Sequence, residues 1–191
     1  LISAAGRYED FSDFGDNFSY KVSSRYKIGN DGAIRASYST GFRAPPLHQR
    51  YLTNSQYIIV AGSTEPLLQG TLANDNSAVK GLDVPNLFAE TSQNISAGVT
   101  YKINENLSGS VDFYQINVDD RVLFSSQIGT LDGSLDGSDA VEQILIDNNV
   151  VAVQFFINAG DTKTTGVDLV LNYNSFTGFR GTLAANFNST T

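Results

Sequence analysis

Polar and apolar residues alternate with a period of two along much of the chain, the mark of strands with one polar and one apolar face. From 18 to 28, Phe18, Tyr20, Val22, Tyr26 and Ile28 share one face, interrupted only by Ser24. Ser19, Lys21, Ser23, Arg25 and Lys27 share the other. Gly29-Asn30-Asp31-Gly32 then reverses the chain with residues that tolerate positive φ. Ile34, Ala36 and Tyr38 continue opposite Arg35, Ser37 and Ser39, which predicts a hairpin. The alternation returns with Ile95, Ala97, Val99, Tyr101 and Ile103 against Asn94, Ser96, Gly98, Thr100 and Lys102. After Asn104-Glu105-Asn106, Leu107, Val111 and Phe113 face away from Ser108, Ser110 and Asp112. Val167, Leu169, Leu171 and Tyr173 alternate with Gly166, Asp168 and Asn172. A turn near 174–178 leads to Phe179, Leu183, Ala185 and Phe187 against Arg180, Thr182, Asn186 and Asn188. With Ile2, Ala4 and Tyr8 opposite Ser3, Arg7 and Glu9 at the start, seven strands are expected.

The connections are unequal. Those near 29–32, 104–106 and 174–178 are short, those at about 42–92 and 122–152 are long, and 10–17 is intermediate. In a meander every short turn then falls at one end and every longer loop at the other, the arrangement of outer-membrane barrels. The expected fold is all-β: an antiparallel meander of seven long strands over residues 1–191, part of a large transmembrane barrel. Seven antiparallel strands do not close on themselves, so an open, twisted, curved sheet is expected, with free edges at about 2–10 and 179–189. An antiparallel sandwich shows the same alternation, and a soluble β-sandwich binding module therefore stands as an alternative; the separation of loop lengths favours the barrel.

Charge gives the faces a direction. Arg7, Lys21, Arg25, Lys27, Arg35, Lys102 and Arg180, with Asp112 and Asp168, lie on the polar faces. A Lys or Arg facing lipid at mid-bilayer costs roughly 2–4 kcal/mol, so these charges are expected to point into the lumen. Tyr8, Phe18, Phe42, Tyr101 and Tyr173 are candidates for interfacial girdles. A mainly basic lumen attracts anionic ligands such as a metal chelate or acidic sugar, but the favoured expectation is that these side chains sit in a wet lumen or contact a part of the protein outside this sequence.

Composition excludes several classes. No run approaches the roughly 18 apolar residues of a transmembrane helix, which leaves strands untouched. There is no Cys, hence no disulfide and no thiolate metal site. The net charge of −8 argues against a duplex nucleic-acid binder. Leu1-Ile2-Ser3 begins inside a strand pattern, so the segment is expected to be internal to a longer precursor. No catalytic constellation is visible: His48 is the single histidine and no G-x-S-x-G elbow occurs. Neither enzyme activity nor a cofactor is expected. Residues 132–139 cluster hard oxygens with glycines, as calcium loops do, but lack the spaced Glu of an EF-hand; an acidic loop without metal is the expectation. Asp139–Ile146 is expected as a short helix with Ser138 as its N-cap, and Pro45–Tyr51 as another with proline near its first turn.

Four ordered segments carry a resemblance. Gly41-Phe42-Arg43-Ala44-Pro45-Pro46-Leu47, followed by Tyr51, resembles the "GFRAP-x-L…Y" segment of TonB-dependent outer-membrane receptors. Glu90-Thr91-Ser92-Gln93-Asn94-Ile95-Ser96-Ala97-Gly98 resembles the family's "PE-x-S-x-N-x-E-x-G" strand, with Ala89 and Ser96 replacing its Pro and second Glu. Asp112-Phe113-Tyr114-Gln115-Ile116 with Asp119-Asp120-Arg121-Val122 is similar to "y-f-x-i-x-x-x-d-r-I". Asn158-Ala159-Gly160 with Gly166-Val167-Asp168-Leu169 is similar to "N-x-G…G-[VI]-[ED]-[LF]". Any one segment is weak, but together, in order and spacing, they are specific.

The resemblance implies an N-terminal plug domain, a TonB box and about 22 strands in the intact barrel, of which the plug, the box and the closing strands lie outside this sequence. It implies TonB-coupled uptake of a bulky nutrient (a siderophore, vitamin or glycan) across the outer membrane of a Gram-negative bacterium. A passive porin or adhesin-like barrel is the alternative. Partners would be outer-membrane lipid, the plug, the TonB complex and a small-molecule or oligosaccharide ligand. Arg35 on the lumen face, with Arg43, Arg50, Tyr51, Tyr57 and Phe124 in or beside the loops, are the candidate ligand-binding residues. Phe155 and Phe156 are further loop aromatics that stack on a ligand or pack the loops together.

Overall fold

The computed structural model describes residues 1–12, 15–59, 66–130, 135–175 and 178–191. Its strands are β1 (Ile2–Phe11), β2 (Gly15–Ile28), β3 (Gly32–Arg43), β4 (Asn54–Ile58), β5 (Leu67–Thr71), β6 (Glu90–Lys102), β7 (Leu107–Phe124), β8 (Ile128–Gly129), β9 (Val150–Gln154), β10 (Phe156–Asn174) and β11 (Arg180–Thr190). Three short helices are α1 (Leu47–Tyr51), α2 (Ser77–Gly81) and α3 (Ala140–Asp147). The chain divides into two compact units, Leu1–Arg43 with Thr91–Asp119 and Asp161–Thr191, and Ala44–Glu90 with Asp120–Gly160.

The first unit is the expected seven-stranded sheet, in the order β1-β2-β3-β6-β7-β10-β11. It is open, with β1 and β11 at its edges. Register follows the period-two pattern: Ala4 lies opposite Val22, Val22 opposite Tyr38, Val99 opposite Val111 and Leu169 opposite Ala185. A slip of one residue would turn each apolar set to the polar face, so the pattern pins the pairing. The short turns have local causes. Gly29 adopts φ 59° between β2 and β3. Between β6 and β7, the Asn104 side-chain oxygen accepts from the N–H groups of Asn106 and Leu107, both at 2.9 Å, an Asx turn that tightens the reversal.

This sheet has no core of its own. Among its described residues only Gly32, Ala33, Gly98 and Gly166 are buried. Ile2 is 78 % exposed, Tyr26 75 %, Leu183 68 % and Phe187 64 %, while Val22, Ile34, Val99, Val111 and Leu171 are exposed as well. An apolar sheet face needs a second layer or an apolar solvent to cover it.

The second unit is different in kind. Residues 44–90 and 120–160, which contain most of the long loops expected at about 42–92 and 122–152, form a four-stranded sheet in the order β4-β5-β9-β8 with all three helices. Leu72, Val79, Leu145, Val151 and Val153 are fully buried in it. The pairing of β5 with β9 is parallel and joins residues about 80 positions apart. α3 begins one residue later than expected, and its N-cap is Asp139 instead of Ser138. The Asp139 carboxylate accepts from Glu142 N–H at 2.8 Å, and Glu142 reaches back to the N–H groups of Asp136, Gly137 and Ser138. The Asp139 carboxylate satisfies one orphaned donor of the first turn, and the returning Glu142 satisfies three N–H groups of the segment that leads into the helix. α1 begins at Leu47 with Pro46 before it.

Candidate functional site

The motif residues act chiefly as structural pins. In the second unit Glu90 is 4 % exposed, and its carboxylate accepts from Val122 N–H at 2.8 Å. Asn158 accepts from Phe88 N–H at 3.1 Å and donates to Phe88 C=O at 3.1 Å and to Asp120 C=O at 2.7 Å. One carboxamide thereby ties three segments together. Asp120 itself stands at φ 59°, a left-handed conformation that Asp tolerates better than most residues. A Cβ on Gly160 would lie 2.7 Å from Leu123 Cδ1, so glycine admits that side chain. Pro45 is buried beside Ala44 at the start of the unit. In the first unit Gly41, Phe42 and Arg43 end β3, and the Phe42 ring meets Phe11 edge-on at 5.9 Å.

Two glycines in the wall make room for polar bridges. Arg35 on β3 reaches across β6 to Asp112 on β7, with Nε donating to Oδ1 at 2.7 Å and Nη2 to Oδ2. The strand it crosses carries Gly98 directly opposite Asp112, and a Cβ there would overlap the carboxylate. Likewise a Cβ on Gly166 would overlap the Tyr114 ring, whose hydroxyl accepts from Asn186, which also donates to Asp168. Arg35 and Asp168 are therefore engaged within the polar face.

Of the other candidate residues, Arg50 lies over the Tyr51 ring, 5.3 Å from its centroid, a cation–π contact. Tyr57 on β4 is 72 % exposed. Phe124 packs on Phe156 with centroids 5.0 Å apart. Phe155 is buried in the core of the second unit, so it packs the loops and presents no stacking surface. His48 is exposed on α1. Asp132, Gly133 and Ser134 lie outside the described residues. Within the described part of that acidic loop, Asp136 accepts from Ser138 N–H at 2.8 Å. Hydrogen bonding, first from the Ser138 hydroxyl and then from its N–H, holds the Asp136 carboxyl below the usual carboxylate range. Among the described residues no group of three or more His, Cys, Asp or Glu is placed to hold a metal.

Sequence reading missed a cleft of about 320 Å³ on the four-stranded sheet, lined by Asn54, Ser55, Gln56, Gln69, Gln127 and Gln154 among others. Its origin lies in the register. Gln56, Gln69, Ala152 and Gly129 follow one another across the four strands, so one row shortens from long amides to no side chain. Asn54, Thr71 and Gln154 form the next row. Four glutamines and an asparagine on a single sheet face were the available signal, hidden because β4, β5 and β9 were not anticipated as strands.

An open meander of long strands with one apolar face is a section of barrel wall. The sequence of residues 1–191 matches the family described as TonB dependent receptor-like, beta-barrel, and the chain belongs to that family. No curated protein sequence matches it. Solved structures share its fold. The siderophore receptor PirA from Pseudomonas aeruginosa superposes with a TM-score of 0.66 at 17% identity, over 100% of this chain and 31% of that one. A ferric enterobactin receptor mutant (PfeA) from the same organism, in complex with enterobactin, gives 0.69 at 17%, over 98% and 24%. The RagAB peptide importer gives 0.58 at 19%, over 99% and 20%. The chain thus spans between a fifth and a third of the length of these relatives.

Proposed function

We propose that this chain is wall and outer-loop structure of an outer-membrane receptor that takes up a bulky nutrient, a siderophore, vitamin or glycan, using energy delivered by TonB. The observation that carries the reading is the first unit: within it the described residues of the seven strands bury no large side chain yet expose an apolar face. Lipid covers such a face, and the charged polar face then meets a wet lumen and plug. Family membership supports the coupling to TonB. The solved relatives include siderophore receptors and a peptide importer, so substrate class differs within the fold.

The test is uptake by cells expressing the full-length protein, with and without TonB, after fractionation of the envelope. Recovery in the outer membrane with uptake that disappears without TonB is the expected result. Uptake that persists without TonB supports a passive porin, and a folded monomer in detergent-free buffer overturns the membrane reading.

A further inference from the structure

We infer that the amide-lined cleft of the second unit binds an uncharged polyhydroxylated ligand, a sugar residue or short neutral glycan. The inference rests on the receptor reading above and narrows its substrate class. Three observations carry it. Among the described residues no charged side chain lines the cleft, so these offer no counter-ion to an anionic chelate or a cationic solute. Its polar side chains are carboxamides with a hydroxyl, beside Ala152 and Val153, and each carboxamide presents donors and an acceptor side by side. Sugar hydroxyls, which donate and accept from the same atom, match that pairing. Its volume falls at the lower end of the roughly 300–1,000 Å³ of small-molecule sites.

The second observation concerns partners. Among the described residues Gln69 Oε1 is buried with no hydrogen-bond partner, and a turn of the side chain toward the cleft would present this acceptor to a ligand O–H. Gln154 and Gln127 donate through Nε2 to Ser125 C=O and Gly129 C=O, each at 3.4 Å, which leaves their carbonyl oxygens as further acceptors.

The third separates a sugar from a peptide. An extended peptide binds a sheet by adding a strand to a free edge. The cleft spans β4, β5 and β9; β5 and β9 are interior strands whose ladders are paired on both sides, and β4 contributes Asn54, Ser55 and Gln56 from the edge of the sheet. Recognition there is by side chains on the face, which favours a compact ligand bristling with hydroxyls.

The experiment is saturation-transfer NMR on the full-length protein in detergent, with maltotriose, cellotriose and xylotriose as neutral probes, and trialanine and citrate as peptide and anionic controls. At least one trisaccharide should receive saturation, and the controls should not. Gln69→Leu removes an unpartnered acceptor, so the fold is retained, and binding should weaken about fivefold or more. Gln56→Ala, on the edge strand, provides a second variant with the same expected direction. Absence of transfer to all three trisaccharides, transfer to trialanine or citrate that the glutamine variants abolish, or sugar binding unchanged in both variants overturns the inference. The receptor reading fails separately. Glutamine-dependent sugar binding without TonB-dependent uptake sinks that reading and leaves the site standing. TonB-dependent uptake of an anionic chelate unaffected by Gln69→Leu does the reverse.

Discussion

Replacing Gly98 by alanine puts a methyl group where the Asp112 carboxylate lies, on the strand that Arg35 crosses to reach it. Either the carboxylate swings away from Arg35 or β6 and β7 part locally. Inserting a carbon into filled space costs typically 1–3 kcal/mol. The ion pair adds at most about 1 kcal/mol, because half of the Arg35 side chain (51 %) is exposed and solvent screens it. Gly98→Ala should therefore destabilise by about 1–4 kcal/mol, mostly through sterics. Asp112→Ala on its own gives up the ion pair and should cost less than about 1 kcal/mol. The double variant removes the carboxylate and leaves the Val111 carbonyl oxygen, 2.9 Å from the new methyl carbon, so most of the lost stability should return, a strongly non-additive cycle. Guanidinium titration of the four full-length proteins folded into phospholipid vesicles measures all the corners. Additive single effects, or a Gly98→Ala protein as stable as its parent, would refute the claim that glycine is required by the bridge.

Three further outcomes follow from the same geometry. Asn158→Ala removes three hydrogen bonds, each worth about 0.5–1.5 kcal/mol net, so exchange of the Phe88 amide should accelerate about tenfold or more by hydrogen-exchange mass spectrometry. Val22→Lys, at the middle of an apolar face, should cost about 2–4 kcal/mol in vesicles, whereas Ser23→Lys on the polar face should cost almost nothing; equal effects would reverse the assignment of the faces. Asp136 has its carboxyl pKa lowered on folding, so its contribution is fully present above the ordinary carboxylate value and is lost as pH falls through the lowered one. A carboxyl chemical-shift titration should show Ser138→Ala moving the Asp136 midpoint upward.

Legibility differed between the two units for a physical reason. Strands of the first unit have unlike faces, and the alternation of Phe18, Tyr20 and Val22 with Ser19, Lys21 and Ser23 announces both the strand and its register. In the second unit, Val150-Val151-Ala152-Val153 is apolar throughout because β9 is buried on both sides, so it has no period to read. β5, its parallel partner, is five residues long and includes Gly70 at φ 140°. Such a strand is defined by a neighbour distant in sequence. The functional residues show the same division. Glu90, Asn158 and Gly166 stood out as motif letters, yet their spacing says nothing of Val122, Phe88 or Tyr114, against which they work. The amide cleft had no letters at all, because its members come from four separate segments that only the tertiary register aligns.

The second unit consists of two insertions, 44–90 and 120–160, that share one hydrophobic core and one parallel strand pair. Neither piece holds a complete fold. During synthesis β5 must wait, paired with β4 alone, until β9 of the second piece has emerged. Any exchange of outer loops between relatives faces the same dependence: grafting one insertion alone leaves β5 without β9 and Leu72 without Leu145. The core of this unit is therefore transplantable only as a matched pair of segments.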